Sequence, residues 1–295
     1  MHDEVFRADL TRRAFLGALP PGLAALAVAT SIPTVRADEP APEAFTFFQI
    51  NDLHYVSDDC GRWFRAVVEQ MKASAPEAQL CLLCGDLADK GDEPALAAVK
   101  EIFGGLGMPL LPTPGNHDFT PTESRAGYDT VFPGTLNHHR LHKGWQFLGV
   151  DTTMGTKYDK TEIAESTLAW LEAELPKLNA SAPTVVFTHF PLGENVTYRP
   201  LNAAALVERL LKLNLVAVFS GHWHGASERK TAKATLTTSR CCSRVRNNAD
   251  QSPLKGWFVC QTHPDGTLTR RFVEFRAPGD IPTTDVAAPK ANRQL

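Results

Sequence analysis

The chain lacks the marks of several common classes. Its 295 residues carry a formal net charge of -3, and no basic run stands out from that balance. This argues against a protein held on nucleic acid by bulk electrostatics. No segment repeats at a fixed period, which argues against a solenoid or propeller. No low-complexity tract lies outside the two ends. Cysteine is sparse, with 6 residues, and the C-x-x-C stretch Cys81-Leu82-Leu83-Cys84 has no second copy. A thiolate zinc site is therefore disfavoured. What remains is an ordinary globular composition, 43% hydrophobic and 21% charged, enough for one large domain or two small ones.

The N-terminal stretch TRRAFLGALPPGLAALAVATSIPTVRADEPAPE stands apart. Arg12 and Arg13 precede an uncharged run from Ala14 to Val35, and Val35-Arg36-Ala37 offers small residues for a signal peptidase. The segment resembles a twin-arginine (Tat) export signal, residues 1–37, cleaved after Ala37. Such a signal implies export to the periplasm with the twin-arginine machinery as partner. Pro20, Pro21 and the many alanines make a poor membrane helix, so no stable span is expected after cleavage. Residues 38–44 then form a linker, the folded domain runs over 45–276, and 277–295 is a flexible tail. The six cysteines, Cys60, Cys81, Cys84, Cys241, Cys242 and Cys260, are compatible with export, but spacing does not choose a pairing. Cys81 and Cys84 fall on opposite faces of a strand and are not expected to pair with each other.

From Phe45 the chain alternates. Residues 45–50, 80–83 and 109–113 read as strands, by aromatic and β-branched content or as short apolar runs. Between them, 62–73 and 93–103 carry apolar residues at helical spacing: Phe64, Val67, Val68 and Met71, then Leu96, Val99 and Phe103. The second half repeats this, with strands at 145–150, 184–188 and 215–219 and helices at 165–177 and 202–213. Residues 234–239 and 256–275 read as strands without intervening helices, turning at His263-Pro264-Asp265-Gly266-Thr267. The whole is an α/β domain with a β-rich final third.

Polar clusters follow five of these strands: Asn51-Asp52-Leu53-His54, Gly85-Asp86-Leu87-Ala88-Asp89, Gly115-Asn116-His117-Asp118, Thr188-His189, and Gly221-His222-Trp223-His224. Each alone is weak, since Gly-Asp or Asn-His after a strand is commonly a turn. Together they place carboxylates, one carboxamide and imidazoles at the carboxyl ends of strands, where open α/β sheets bind ligands. Of the 10 histidines, half fall in these clusters. The mixture suits borderline-to-hard metals such as Mn, Fe, Zn or Co. It is too many ligands for one ion and about enough for two, roughly 3.5–4 Å apart, as in two-metal phosphoryl transfer.

This order and spelling, D-x-H, G-D-x-x-D, G-N-H-D, H and G-H-x-H, resembles the calcineurin-like metallophosphoesterase superfamily over most of residues 45–230. The resemblance implies a four-layer sandwich, two mixed β-sheets flanked by helices, with a dinuclear centre at the strand ends. It implies one ion (Mn, Fe or Zn; divalent or mixed-valence pair) held by Asp52, His54, Asp86 and His224. The other would be held by Asp86, Asn116, His189 and His222. Asp86 bridges them together with a water or hydroxide that attacks phosphorus. His117 would contact the phosphate and assist the leaving group, with Asp118 orienting it and Gly115 making the turn.

Departures narrow the group. Purple acid phosphatases have Tyr where this chain has Asp89. Phosphoprotein phosphatases spell Asp-Arg-Gly where it has Asp89-Lys90-Gly91, and usually have Glu at Asp118. The bacterial group that includes the cyclic-nucleotide phosphodiesterases is the best match. The expectation is a phosphodiesterase acting on a small phosphorylated substrate. The alternatives are a phosphomonoesterase with the same centre and a non-catalytic metal-binding protein of the same fold. Substrate choice is assigned to loops 120–144, 153–164 and 190–201. Cys60 is placed in a loop that can rim the site. Asn137 to His142 reads as a solvated loop, and Arg199 and Arg240 are candidates for reaching a phosphate.

Overall fold

Strands that are apolar on both faces belong in sheets covered on both sides, and that is how this chain uses them. In the computed structural model, residues 40–231 and 233–279 are described. The expected signal at 1–37, the start of the expected linker and the tail beyond 279 lie outside the described residues. Strands β1 (Thr46–Ile50), β2 (Ala78–Cys84) and β3 (Leu110–Thr113) pair in parallel. Strands β10 (Gly256–Thr262) and β11 (Leu268–Glu274) join antiparallel at the far side of β1, in the order β11-β10-β1-β2-β3. The second sheet is built from β4 (His138–His142), β5 (Trp145–Gly149), β6 (Pro183–Phe187), β7 (Asn214–Ser220), β8 (Ser227–Lys230) and β9 (Thr235–Thr238). Its order is β4-β5-β6-β7-β9-β8, parallel in the middle and antiparallel at both edges.

Side-chain alternation sorts the core into layers. Phe47, Leu80, Leu82 and Cys84 face Phe147, Val185, Phe187, Ala217 and Phe219 between the sheets. Phe48, Ile50, Cys81 and Leu83 turn the other way, onto helices α1 (Asp58–Ser74) and α2 (Glu93–Gly104). On the outer face of the second sheet, Val186, Leu215 and Val218 pack with Leu168 and Leu171 of α4 (Glu165–Glu174) and Leu206 and Leu210 of α5 (Ala203–Leu210). The layers are thus helix, sheet, sheet, helix, as the resemblance implied. Each fully buried Phe, Leu or Val contributes about 1.5–3 kcal/mol by leaving water, so the strand ends rest on a rigid base. Cys81 and Cys84 do face opposite sides, and the six cysteines are all free and buried.

Several local expectations are corrected. Helix α1 begins at Asp58, four residues before the expected start, because Ser57 takes the cap position and Asp58 and Asp59 occupy the first turn, where negative charge is favoured. Cys60 is therefore inside a helix and fully buried, not on a loop rimming the site. The stretch expected to be a solvated loop is strand β4, an edge strand whose polar side chains are half-buried or exposed. Helices α4 and α5 are shorter than expected. The first passes at Leu175 into a 3-10 turn (Leu175–Lys177) at Pro176. Helix α3 (Ala126–Val131) and edge strand β8 were not anticipated.

Candidate metal centre

The five polar tracts leave β1, β2, β3, β6 and β7 at their carboxyl ends and meet. Pairing continues past the strands: Asp52 N donates to Gly85 O at 3.1 Å, His54 N to Asp86 O at 2.9 Å, and Gly221 N to His189 O at 2.9 Å. The two sheets are joined here by a bond from His189 Nδ1 to the Cys84 carbonyl at 3.2 Å. Five of the side chains expected to bind metal sit on left-handed backbone: Asp52 (φ 51), His54 (φ 50), Asp86 (φ 51), His222 (φ 64) and His224 (φ 52). Each such residue costs on the order of 1–3 kcal/mol and persists only where its surroundings hold it. Here the left-handed step turns the side chain inward immediately after a strand.

Donor atoms of Asp52, His54, Asp86 and His224 lie within 4.8 Å of one another, and so do those of Asp86, His189 and His222. Asp86 belongs to both sets and divides its oxygens between them. Its Oδ2 is 3.4 Å from His54 Nε2, and its Oδ1 is 3.2 Å from His189 Nε2. Asn116 joins the second set, with Oδ1 3.2 Å from His189 Nε2. His54 Nε2 faces His224 Nε2 at 3.1 Å, and His222 Nδ1 faces His189 Nε2 at 3.2 Å. All seven residues expected to bind metal are therefore brought together, in the two groups expected.

The outer nitrogens explain why the inner ones are free. His54 Nδ1 donates to Asp89 Oδ1 at 3.1 Å, and His189 Nδ1 to Cys84 O. His222 Nε2 donates to Tyr158 O at 2.7 Å, and His224 Nδ1 to Asn247 O at 3.1 Å. A ring nitrogen that donates to a fixed oxygen leaves the other as a lone pair, which is how metal-binding histidines are held. Each of the four histidines has such an acceptor, from three stretches of chain: the end of β2 and its loop, Tyr158 and Asn247.

The buried carboxylates are held as carefully. Asp52 accepts from the His222 amide at 3.0 and 3.1 Å and from Asn51 Nδ2. Asn51 is itself positioned by Gln49 at 3.0 Å. Burial pushes Asp52 and Asp86 up, but the neighbouring histidines more than offset it, so both stay ionised. Burial pushes His54 down to about 4 and His222 down to about 3. His189 and His224 are different: burial opposes their charge, yet Asp86 and Asp52 raise His189 to about 9, and Cys241 and Asp52 raise His224 well above its ordinary value. Two adjacent buried carboxylates that draw positive charge onto His189 and His224 make a cation-seeking arrangement. The donor set of carboxylate, carboxamide and imidazole fits a pair of divalent ions.

The Gly115-Asn116-His117-Asp118 turn departs from expectation in two ways. Gly115 has extended backbone, φ -109, so it is not there for its torsion. A Cβ would sit 2.2 Å from the Asp86 amide and Oδ1, and only glycine leaves that carboxylate its place. Gly221 does the same for Asp52, whose Oδ2 would lie 2.3 Å from a Cβ. The second departure concerns Asp118. Its oxygens accept from the Ala88 and Gly115 amides, each at 2.8 Å. The 3-10 turn sends it into the core, tying the β2 and β3 loops together. His117 is oriented instead by the Asp89 carbonyl, 2.9 Å from Nδ1. Its Nε2 is left for the cleft, with the side chain 32% exposed.

Around this centre lies a mouth of ≈ 190 Å³ lined by His54, Asp86, His117, His222, His224, Arg246 and two tyrosines, Tyr158 and Tyr198. Beyond His117 and Tyr158 it meets a cleft of ≈ 450 Å³ with Lys90, Phe119, Pro121 and Thr156. The three loops named from sequence do contribute, through Pro121, Tyr158 and Tyr198. The expected phosphate-reaching arginines do not: Arg240 Nε binds Asp250 at 2.8 Å and Arg199 Nε binds Leu192 O at 3.0 Å. Arg246 lines the mouth instead and was missed, since nothing in its aperiodic stretch marks it. Cys241 lies beneath His224. Burial would raise its thiol, but His224 and Lys255 (Nζ at 2.8 Å) bring it below the ordinary value.

The sequence profile of the calcineurin-like phosphoesterase family matches residues 45–226. The chain belongs to that family. Calcineurin-like phosphoesterases use divalent metals, in keeping with the Asp and His cluster. Among similar curated proteins is a glycerophosphodiester phosphodiesterase of Enterobacter lignolyticus, 29% identical over 189 residues, covering 58% of this chain and 65% of that one. A cAMP/cGMP dual specificity phosphodiesterase of Mycobacterium tuberculosis is 28% identical over 285 residues, 88% of each chain. Among solved structures, GAP50, the anchor in the inner membrane complex of Plasmodium, shares the fold. Its TM-score is 0.62 at 15% identity, over 79% of this chain and 85% of that one. The two curated relatives are named as phosphodiesterases, consistent with a hydrolase acting on phosphoric ester bonds.

Proposed function

We propose that this chain hydrolyses a small phosphodiester. The observation that carries the reading is the pairing of two ligand groups that share Asp86 with a histidine, His117, whose Nε2 opens onto the same mouth. Asp52, His54, Asp86 and His224 would hold one divalent ion, and Asp86, Asn116, His189 and His222 the other; manganese, iron and zinc all suit these donors. Bound ions would supply Lewis acidity, lowering the pKa of a water and neutralising phosphoryl charge. His117, with Nδ1 pinned on a carbonyl, delivers a proton from Nε2 to the departing alkoxide. The Asp118 clamp keeps the turn closed while it does so. The diester is preferred because the relatives quoted are named for diesters.

The test is turnover of bis-p-nitrophenyl phosphate and p-nitrophenyl phosphate by the Mn²⁺-loaded chain from Asp38. His117→Ala is expected to lower diester turnover by about 10²–10⁴-fold. Preference for the monoester would instead support a phosphomonoesterase. Turnover of neither ester with Mn²⁺, Fe²⁺ or Zn²⁺ would overturn the reading and favour a metal-binding protein. We also propose export to the periplasm by the twin-arginine machinery, on Arg12 and Arg13. Retention of an R12K/R13K double variant in the cytoplasm is the expected result.

A further inference from the structure

The mouth of the metal centre is rich in imidazole and carboxylate but carries one permanent cation. Among the described residues lining it, Arg246 is the one Lys or Arg. Its guanidinium is fixed from behind. Nε donates to Asp89 Oδ1 at 3.1 Å, and Nη2 bonds the same oxygen. The main chain beneath it is also held, with Arg246 N on Ser243 Oγ at 3.2 Å and Lys255 Nζ on Arg246 O at 2.6 Å. A guanidinium has five N–H donors, and Asp89 occupies two. Nη1 makes no hydrogen bond among the described residues, and the side chain stays 40% exposed.

Asp89 is also the residue that orients His54 through its carboxylate and His117 through its carbonyl. One residue thus sets the positions of a metal-binding imidazole, the proton-donating imidazole and this guanidinium. A cation needed only to balance Asp89 would be satisfied by pairing and would not have to line the mouth. From this geometry we infer that Arg246 is a substrate-binding residue that donates from its free edge to a non-bridging phosphoryl oxygen. A planar, permanently charged donor pair matches a tetrahedral oxyanion better than an ammonium does. The ligand class is a phosphoryl group: the ester substrate, or inorganic phosphate held in the same place. The inference rests on the phosphoesterase reading and adds a residue that grips the phosphoryl group beside the ligand cluster.

The experiment uses Mn²⁺-loaded wild type, Arg246→Gln and Arg246→Lys. Three quantities are measured: bound metal by plasma mass spectrometry, inorganic phosphate affinity by calorimetry, and turnover of bis-p-nitrophenyl phosphate. The expected result is full metal content, phosphate affinity at least about tenfold weaker, and kcat/KM down by about 10²-fold in Arg246→Gln. Arg246→Lys should recover only part, because a lysine offers no fork. Unchanged phosphate affinity in Arg246→Gln would overturn the inference. So would loss of metal together with activity, which would make Arg246 a positioning residue acting through Asp89 and His54. Wild type that turns over the diester but binds no phosphate would sink the inference and leave the phosphoesterase reading standing. Wild type that turns over no ester would sink that reading, while the phosphate measurement would still decide for or against Arg246.

Discussion

His117 is oriented by Asp89, not by its neighbour Asp118: Nδ1 lies 2.9 Å from the Asp89 carbonyl, while both Asp118 oxygens are spent on the Gly115 and Ala88 amides. Asp118 is thus a clamp between two loops. In Asp118→Asn one of those amides meets an N–H instead of an acceptor. A buried donor left unpaired costs about 1–3 kcal/mol. The expected outcome is a lower thermal midpoint with the pH–rate profile of the folded enzyme unmoved. A shifted profile at unchanged stability would restore Asp118 as the residue that sets the tautomer.

The glycines before Asn116 and His222 give a second prediction. Gly115→Ala drives a methyl group into Asp86, and Gly221→Ala drives one into Asp52, at 2.2 and 2.3 Å. Both sites are backed by main chain or buried ligands that have nowhere to go. Each substitution should reduce bound metal by at least about tenfold, the scale on which displaced ligand supports act. Gly104 is the control. It ends helix α2 with open space around it, so Gly104→Ala should leave metal content unchanged and stability the same or up to about 1 kcal/mol higher.

These two cases show where the sequence was readable. Strand ends were legible because the buried strands alternate between two apolar faces and stop at abrupt polar tracts. Five such tracts converging is more than local turn chemistry explains. What Gly115 and Asp118 do there was not legible, because a close approach and a backbone acceptor come from segments distant in the chain. Edge strands β4 and β8 escaped for a different reason. Sequences such as His138-His139-Arg140-Leu141-His142 have one face or none in the core, so no apolar period forms, and polar side chains at an edge are how sheets avoid further pairing. Arg246 and Tyr158 lie in irregular segments, where side-chain placement depends on tertiary contacts and spacing carries no signal.

Strand β4 supplies a pH-dependent term away from the metal ligands. His138 donates from Nδ1 to Thr135 O at 3.1 Å and packs against Phe187 and Gly149, and its Nε2 is buried without a partner. Burial pushes His138 down to about 4 from its ordinary 6.5; the Thr135 carbonyl opposes this and His139 adds to it. Between those values the unfolded chain binds a proton that the folded chain refuses. The stability is therefore fully present above pH 6.5 and is lost as pH falls through that window to 4. The loss amounts to about 3 kcal/mol. His138→Asn keeps a donor for Thr135 but does not titrate. Urea midpoints from pH 7 to 4 should fall less steeply in the variant, and comparison of the two proteins cancels the groups they share. Parallel curves would mean His138 takes up its proton inside the fold.

Asp89 gives the sharpest test of how the centre is organised. Its carboxylate accepts from His54 Nδ1 and from Arg246, while its carbonyl accepts from His117. Burial alone would raise its pKa, but His54 and Arg246 hold it down to about 2, so it is ionised throughout the working range. Asp89→Asn removes that charge and leaves the carbonyl. Without a carboxylate behind it, His54 is a weaker base and a less fixed ring, so metal affinity at the group containing His54 should fall by about 10–100-fold. The second group, which contains His189 and His222, takes its outer contacts from Cys84 and Tyr158 and should keep its affinity. Stepwise metal release during chelator titration would then show one ion lost early and one retained. Simultaneous loss of both would mean that Asp86 couples the two groups so tightly that neither holds an ion alone.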